Sequence, residues 1–141
     1  MSARIAPWFS RAVLLAALAV LALISRKFVG DPVGAATASG ITLNTPLGIT
    51  NMRASFGAFP LGCALFVLVC FFTASLRKTG LVFVMFIVGT ALAVRLLGII
   101  LDGTLAESLR VVGAETVLLI LSLAAYSGER LMNNNPVNPR S

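Results

Sequence analysis

An all-α integral membrane protein, a bundle of four transmembrane helices, is the fold class this sequence predicts, and two observations carry it. Of its 141 residues, 58% are hydrophobic and 11% charged, with a mean hydropathy of +0.98. Soluble domains average roughly 45–50% apolar and about 25% charged residues, so the excess apolar surface calls for lipid. The apolar residues also gather into four runs bounded by charges, glycine or proline. The length allows a single domain.

The first run, Ala12 to Ser25, lies between Arg11 and Arg26-Lys27. It is shorter than the ~20 residues a bilayer needs. Pro7, Trp8 and Phe9 extend it, proline suiting a first helical turn and tryptophan the membrane interface. A cleaved signal peptide is the competing interpretation. Its small-x-small candidate, Ala36-Thr37-Ala38, lies too far past Arg26-Lys27 to make a good cleavage context. The second run, Ala54 to Leu76, contains no charge; Ala54, Ala58 and Gly62 line one face for close helix contact, and Pro60 should kink it. The third, Leu81 to Leu101, is interrupted only by Arg95 and has a second small pair, Gly89 and Ala93. The fourth, Val111 to Tyr126, contains Glu115. With their flanks, the spans are expected at about 7–26, 52–76, 80–101 and 106–127 of a 1–130 domain. Residues 131–141, rich in Asn and Pro, form a polar tail expected to be disordered.

The connections carry signals of their own. Asp31-Pro32, then Val33 to Ser39 and Gly40, reads as an N-cap, a first-turn proline, a short helix and a C-terminal glycine. This predicts a short surface helix in the first extracytoplasmic loop. Ile41 to Thr50 reads as an extended connector, after which Thr50 or Asn51 caps the second span. Gly103 closes the third span, and Thr104 with Glu107 matches the S/T-x-x-E capping box, giving a tight hairpin at Asp102 to Thr104. If both termini are cytoplasmic, Arg4, Arg11, Arg77, Lys78, Arg130 and Arg140 lie inside, against Arg26, Lys27, Arg53 and Arg110 outside. That bias favours this orientation, with Arg77-Lys78 in a very short inner loop.

The net charge of +6 does not predict a nucleic-acid partner, because the cations sit in ones and twos at span ends rather than on one face. There is no histidine. Cys63 and Cys70 lie seven residues apart, ~10 Å along a helix, too far for an intrachain disulfide, and read as small apolar filler. No Ser or Cys stands beside a base and no metal-ligand cluster is evident, so neither an enzyme nor a cofactor is expected.

Arg95 and Glu115 interrupt otherwise apolar spans. An unpaired charge at mid-bilayer costs at least ~2.5 kcal/mol, so each needs a partner. Counted from the turn at Gly103 they lie ~12 and ~18 Å deep. Each Cβ leans toward its own helix's N-terminus, which narrows that gap and makes an ion pair feasible. Asp102 lies on nearly the same helix face as Arg95, and Asn51 and Arg53 open the second span at the same membrane surface. Asn51, Arg53, Arg95, Asp102 and Glu115 are therefore the candidate polar cluster. It is either glue that fixes helix register or a site for an anionic headgroup, a polar small molecule or a proton.

These residues also carry a resemblance. Asn51-Met52-Arg53-Ala54-Ser55-Phe56-Gly57 resembles an N-x-R-A-x-x-G motif opening a membrane helix. Arg95 with Gly98, Asp102-Gly103 and Glu115 follow in the order and spacing of one bacterial family, that of domain of unknown function 4345. Asp31-Pro32, Ala35-Ala36 and Gly40 fit its loop region. The resemblance covers about Arg4 to Arg130, and Phe56-Gly57-Ala58 stands where the family often has a paired glycine. It implies a four-span protein of the bacterial plasma membrane and supplies no activity. The expected role is a non-enzymatic accessory or structural membrane protein. Its partners would be lipids and either another membrane protein or further copies of itself. The alternative is a binder or transporter using the polar cluster.

Overall fold

The structure is a computed structural model that describes residues 5–133. Among these residues all regular structure is helical: α1 (Ile5–Gly30), α2 (Pro32–Ala38), α3 (Pro46–Met52), a π-helical segment (Arg53–Ala58), α4 (Phe59–Phe72), a 3₁₀ turn (Ala74–Leu76), α5 (Arg77–Asp102) and α6 (Leu105–Asn133). Four stretches are long and apolar enough to cross a membrane: Pro7–Gly30, Pro46–Phe72, Ala74–Asp102 and Leu105–Leu131. The expected tail is helical as far as Asn133, and from residue 134 it lies outside the described residues.

Local chemistry sets the helix ends. The Asp31 carboxylate accepts the Gly34 amide at 2.9 Å, Pro32 occupies the first turn, and Gly40 takes φ +75° after the helix, as the sequence predicts for α2. The same device recurs where the sequence suggests an extended connector. Thr45 Oγ1 accepts the Gly48 amide at 3.0 Å with Pro46 next in line, so the helix begins at Pro46 and Thr45, not Thr50 or Asn51, is its cap. The extended stretch shrinks to 41–44. Gly103 adopts φ +69° and returns its amide to the Ile99 carbonyl at 3.0 Å, ending α5 as expected. The capping box beyond it does not close: the Thr104 hydroxyl lies 3.5 Å from the Ser108 hydroxyl instead of accepting the Glu107 amide.

Pro60 acts upstream of itself. Proline lacks an N–H and its ring crowds the carbonyl four residues back, here that of Phe56. The chain answers with a wide turn over Arg53–Ala58, in which the Phe59 amide bonds to the Ala54 carbonyl. At its far end the helix stops at Phe72, earlier than expected. Thr73 is extended, and the next helical run opens at Ala74.

The described chain divides into two compact units. One takes in the residues up to Leu14 and those from Cys70 onward; the other is Leu15–Val69. In the first, the buried positions Arg77, Gly80, Leu81 and Val84 of α5 share one helix face, and Ser122, Ala125 and Glu129 of α6 share another. Ser10, Val13 and Leu14 of α1 and Cys70 of α4 are buried in the same unit. In the second unit Gly57 meets the backbone of Val29, and the Phe28 and Phe56 rings lie 5.3 Å apart.

Close backbone approach occurs at glycines other than those on the predicted small-residue face. Ala54, Ala58 and Gly62 are exposed, and a Cβ on Gly62 would touch nothing within 4 Å. A Cβ on Gly80, by contrast, would stand 2.5 Å from the Cβ of Cys70 and 3.2 Å from a Leu14 methyl. Gly80→Ala is therefore expected to destabilise by ~1–3 kcal/mol through overpacking. Gly62→Ala should be neutral or gain up to about 1 kcal/mol of helix propensity. Thermal melts of the detergent-solubilised variants compare the two; equal shifts would contradict the close approach at Gly80.

Candidate functional site

Because Gly103 and Thr104 alone separate them, the long helices α5 and α6 return antiparallel on each other. This brings Arg95 to Glu115. Arg95 Nη2 donates to Glu115 Oε1 at 3.0 Å and Nε donates to Oε2 at 3.1 Å. The bond is a two-pronged fork, the geometry in which a guanidinium best matches a carboxylate. Antiparallel packing also brings Gly89 opposite Leu119, whose Cδ1 lies 3.9 Å from where a Cβ would stand. The pair is not sealed: the Arg95 side chain is 36% exposed and that of Glu115 16%.

Asp102, the last residue of α5, does not join them. Seven residues from Arg95 it lies ~10 Å farther along the axis, is exposed, and makes no side-chain hydrogen bond or ion pair among the described residues. Asn51 lies in the last turn of α3 and Arg53 opens the π segment, both in the Leu15–Val69 unit. Each is exposed and without a side-chain hydrogen bond or ion pair among the described residues. Of the five candidate residues, Arg95 and Glu115 are the two that bond to each other.

A second pair, absent from the sequence expectations, is the more deeply buried. Arg77 Nη1 donates to Glu129 Oε1 at 3.2 Å, with side chains 8% and 11% exposed. Arg77 is not in a loop; it begins α5. A signal for this pair existed. Arg77 precedes Arg95 by 18 residues, five full turns at 3.6 residues per turn, and Glu129 follows Glu115 by 14, close to four turns. Both arginines thus lie on one face of α5 and both glutamates near one face of α6. A register that joins Arg95 to Glu115 also directs Arg77 toward Glu129.

The Arg77–Glu129 pair also suits the opposing helix ends. Arg77 stands beside the C-terminal, electronegative end of α6, and Glu129 beside the N-terminal, electropositive end of α5. Removing one partner of a buried pair strands the other, at about 3–5 kcal/mol. Glu129→Gln is expected to lose that much, and Glu115→Gln less, because Arg95 is more exposed. The swap Arg95→Glu/Glu115→Arg should recover part of the single-variant loss. Melting temperatures of the purified chain test this; additive losses with no recovery in the swap would deny the coupling.

No curated protein and no solved structure matches the chain. A family model does, the one described as "domain of unknown function (DUF4345)", over residues 2–126. The matched stretch takes in Asn51, Arg53, Arg77, Arg95, Asp102 and Glu115, as the resemblance in the sequence led us to expect. With nearly the whole chain matched, the protein belongs to the DUF4345 family.

Proposed function

We propose that the protein is a four-span protein of a bacterial plasma membrane, with both termini cytoplasmic and α2 lying at the outer surface. In this proposal it acts without catalysis, by packing against another membrane protein or a second copy of itself. The observation that carries this reading is the commitment of Arg95 and Glu115 to each other through a two-pronged bond. Charges so engaged cancel in place and fix the rotation and register of two helices. They work as glue, and the apolar faces around them remain for lipid and partner. From Met85 to Leu121 no residue of the α5–α6 hairpin is buried, which leaves a long apolar surface for that purpose.

Two observations favour a second function. Arg95 keeps about a third of its side chain exposed, and Arg53 has no acid partner among the described residues. A polar small molecule, a lipid headgroup or a proton could engage such groups.

Extraction of the native membrane into lipid nanodiscs without detergent separates the two. The packing role predicts a defined complex larger than the 14.8 kDa chain, unchanged in amount by Arg53→Gln. A monodisperse single chain would sink it.

A further inference from the structure

The α5–α6 hairpin is covered at one end only. Its buried positions are Arg77, Gly80, Leu81 and Val84 on α5 and Ser122, Ala125 and Glu129 on α6. All lie toward the start of α5 and the end of α6. From Met85 to Leu121 no residue is buried, although both helices are long and apolar enough to span a membrane. Arg95 and Glu115 belong to this uncovered length.

Their fork leaves hydrogen-bonding capacity over. A guanidinium has five N–H donors and a carboxylate about four acceptor sites. The fork takes one bond each from Nε and Nη2 and places one on each Glu115 oxygen. Among the described residues Nη1 bonds to nothing, and 36% of the Arg95 side chain is exposed. Lipid chains offer no acceptor for it. Headgroups are not close either, because Arg95 stands ~12 Å from the turn and the fork draws it toward Glu115, ~18 Å from the turn. A protein surface that brings an acceptor meets both requirements.

We propose that a second copy of this chain covers the uncovered length of the hairpin, about a two-fold axis that sets Arg95 of each copy against Glu115 of the other. Charge complementarity selects this partner. Away from the turn, which holds Asp102, Glu107 and Arg110, the uncovered length carries one cation and one anion side by side. It therefore presents no excess of either sign for an oppositely charged protein to neutralise. Its complement is the same pair in reversed order, which a two-fold rotation of the patch itself supplies. The idle N–H groups of each arginine then meet the unused lone pairs of the other copy's glutamate, closing a ring of alternating charges. Exposed apolar side chains around the pair, Val94, Leu97 and Val117 among them, exchange lipid for one another. This inference rests on the packing role proposed above and names its partner and its face.

Gly98 lies one turn from Arg95 on nearly the same face, and a Cβ there would meet the Asp102 carboxylate at 3.7 Å and no other neighbour within 4 Å. The full-length Gly98→Cys chain, treated in native membranes with a short bismaleimide, is expected to give a product of twice the 14.8 kDa chain mass. Gly62→Cys, at an equally open position on α4, should give none, nor should the parent chain, whose Cys63 and Cys70 are buried. In the Gly98→Cys background, Arg95→Leu/Glu115→Leu strands no charge, an exchange that buried pairs commonly tolerate. It should weaken self-association about tenfold, read from the protein-to-lipid ratio at half cross-linking. Arg95→Glu/Glu115→Arg keeps the self-complementary pattern and should keep the product. Equal cross-linking at Gly62 and Gly98, or undiminished cross-linking in the leucine variant, would overturn the contact. A Gly98 product joined to a different protein would overturn the second copy and leave the packing role standing. No product at Gly98, together with a single chain in lipid nanodiscs, would sink both.

Discussion

The energy of a charge in a poorly solvating medium governs this protein's longest hairpin. An arginine or glutamate placed at depth in an apolar span is costly alone, and the remedy is a partner at bonding distance on the neighbouring helix. Arg95–Glu115 and Arg77–Glu129 apply it twice. The pairs lie ~27 Å apart measured along α5 and ~21 Å along α6. Between them the helices present mostly aliphatic and small residues, whose contacts with one another or with lipid differ little in energy. Two bonded points so far apart define both the register and the mutual rotation of α5 and α6.

The pairs differ in a way that bears on function. Arg95 satisfies its glutamate with two parallel bonds and keeps some exposure. Arg77 is nearly enclosed and, among the described residues, makes a single longer bond and leaves its Nε without an acceptor. The forked pair fastens the helices where its arginine still meets the surroundings, whereas the Arg77–Glu129 pair fastens them where both side chains are enclosed. The interest that the sequence places in the middle of the hairpin therefore moves in part to its other end.

Backbone approach obeys a similar economy of space. The helix carrying Pro60 accommodates the missing amide with a π turn, and Gly57 within that turn comes against the backbone of Val29. Gly80 comes as close to the side chain of Cys70. At both places the absent side chain is what allows the approach. Gly62, which belongs to a more regular small-residue pattern, has open space beside it.

What the sequence determined by itself was whatever rests on a few neighbouring residues. Asp31-Pro32 with Gly40, and Gly103 at the end of α5, close their own hydrogen bonds within a turn and need no distant partner. The four apolar stretches were legible because their composition leaves them little choice of solvent. Arg95–Glu115 was legible too, since a two-residue turn converts sequence separation directly into depth. Thr45-Pro46 carried the same signal as Asp31-Pro32 but was masked by the glycine and polar residues that follow. Which of the remaining charges meet was decided by the tertiary structure. Arg77 reads locally as a span-flanking cation, and only the register of α6 brings Glu129 to it, while Asp102, on nearly the same face of α5 as Arg95, stands about two turns beyond it. Caps are set by neighbours a few residues apart; ion pairs between helices depend on the packing of the whole length between them.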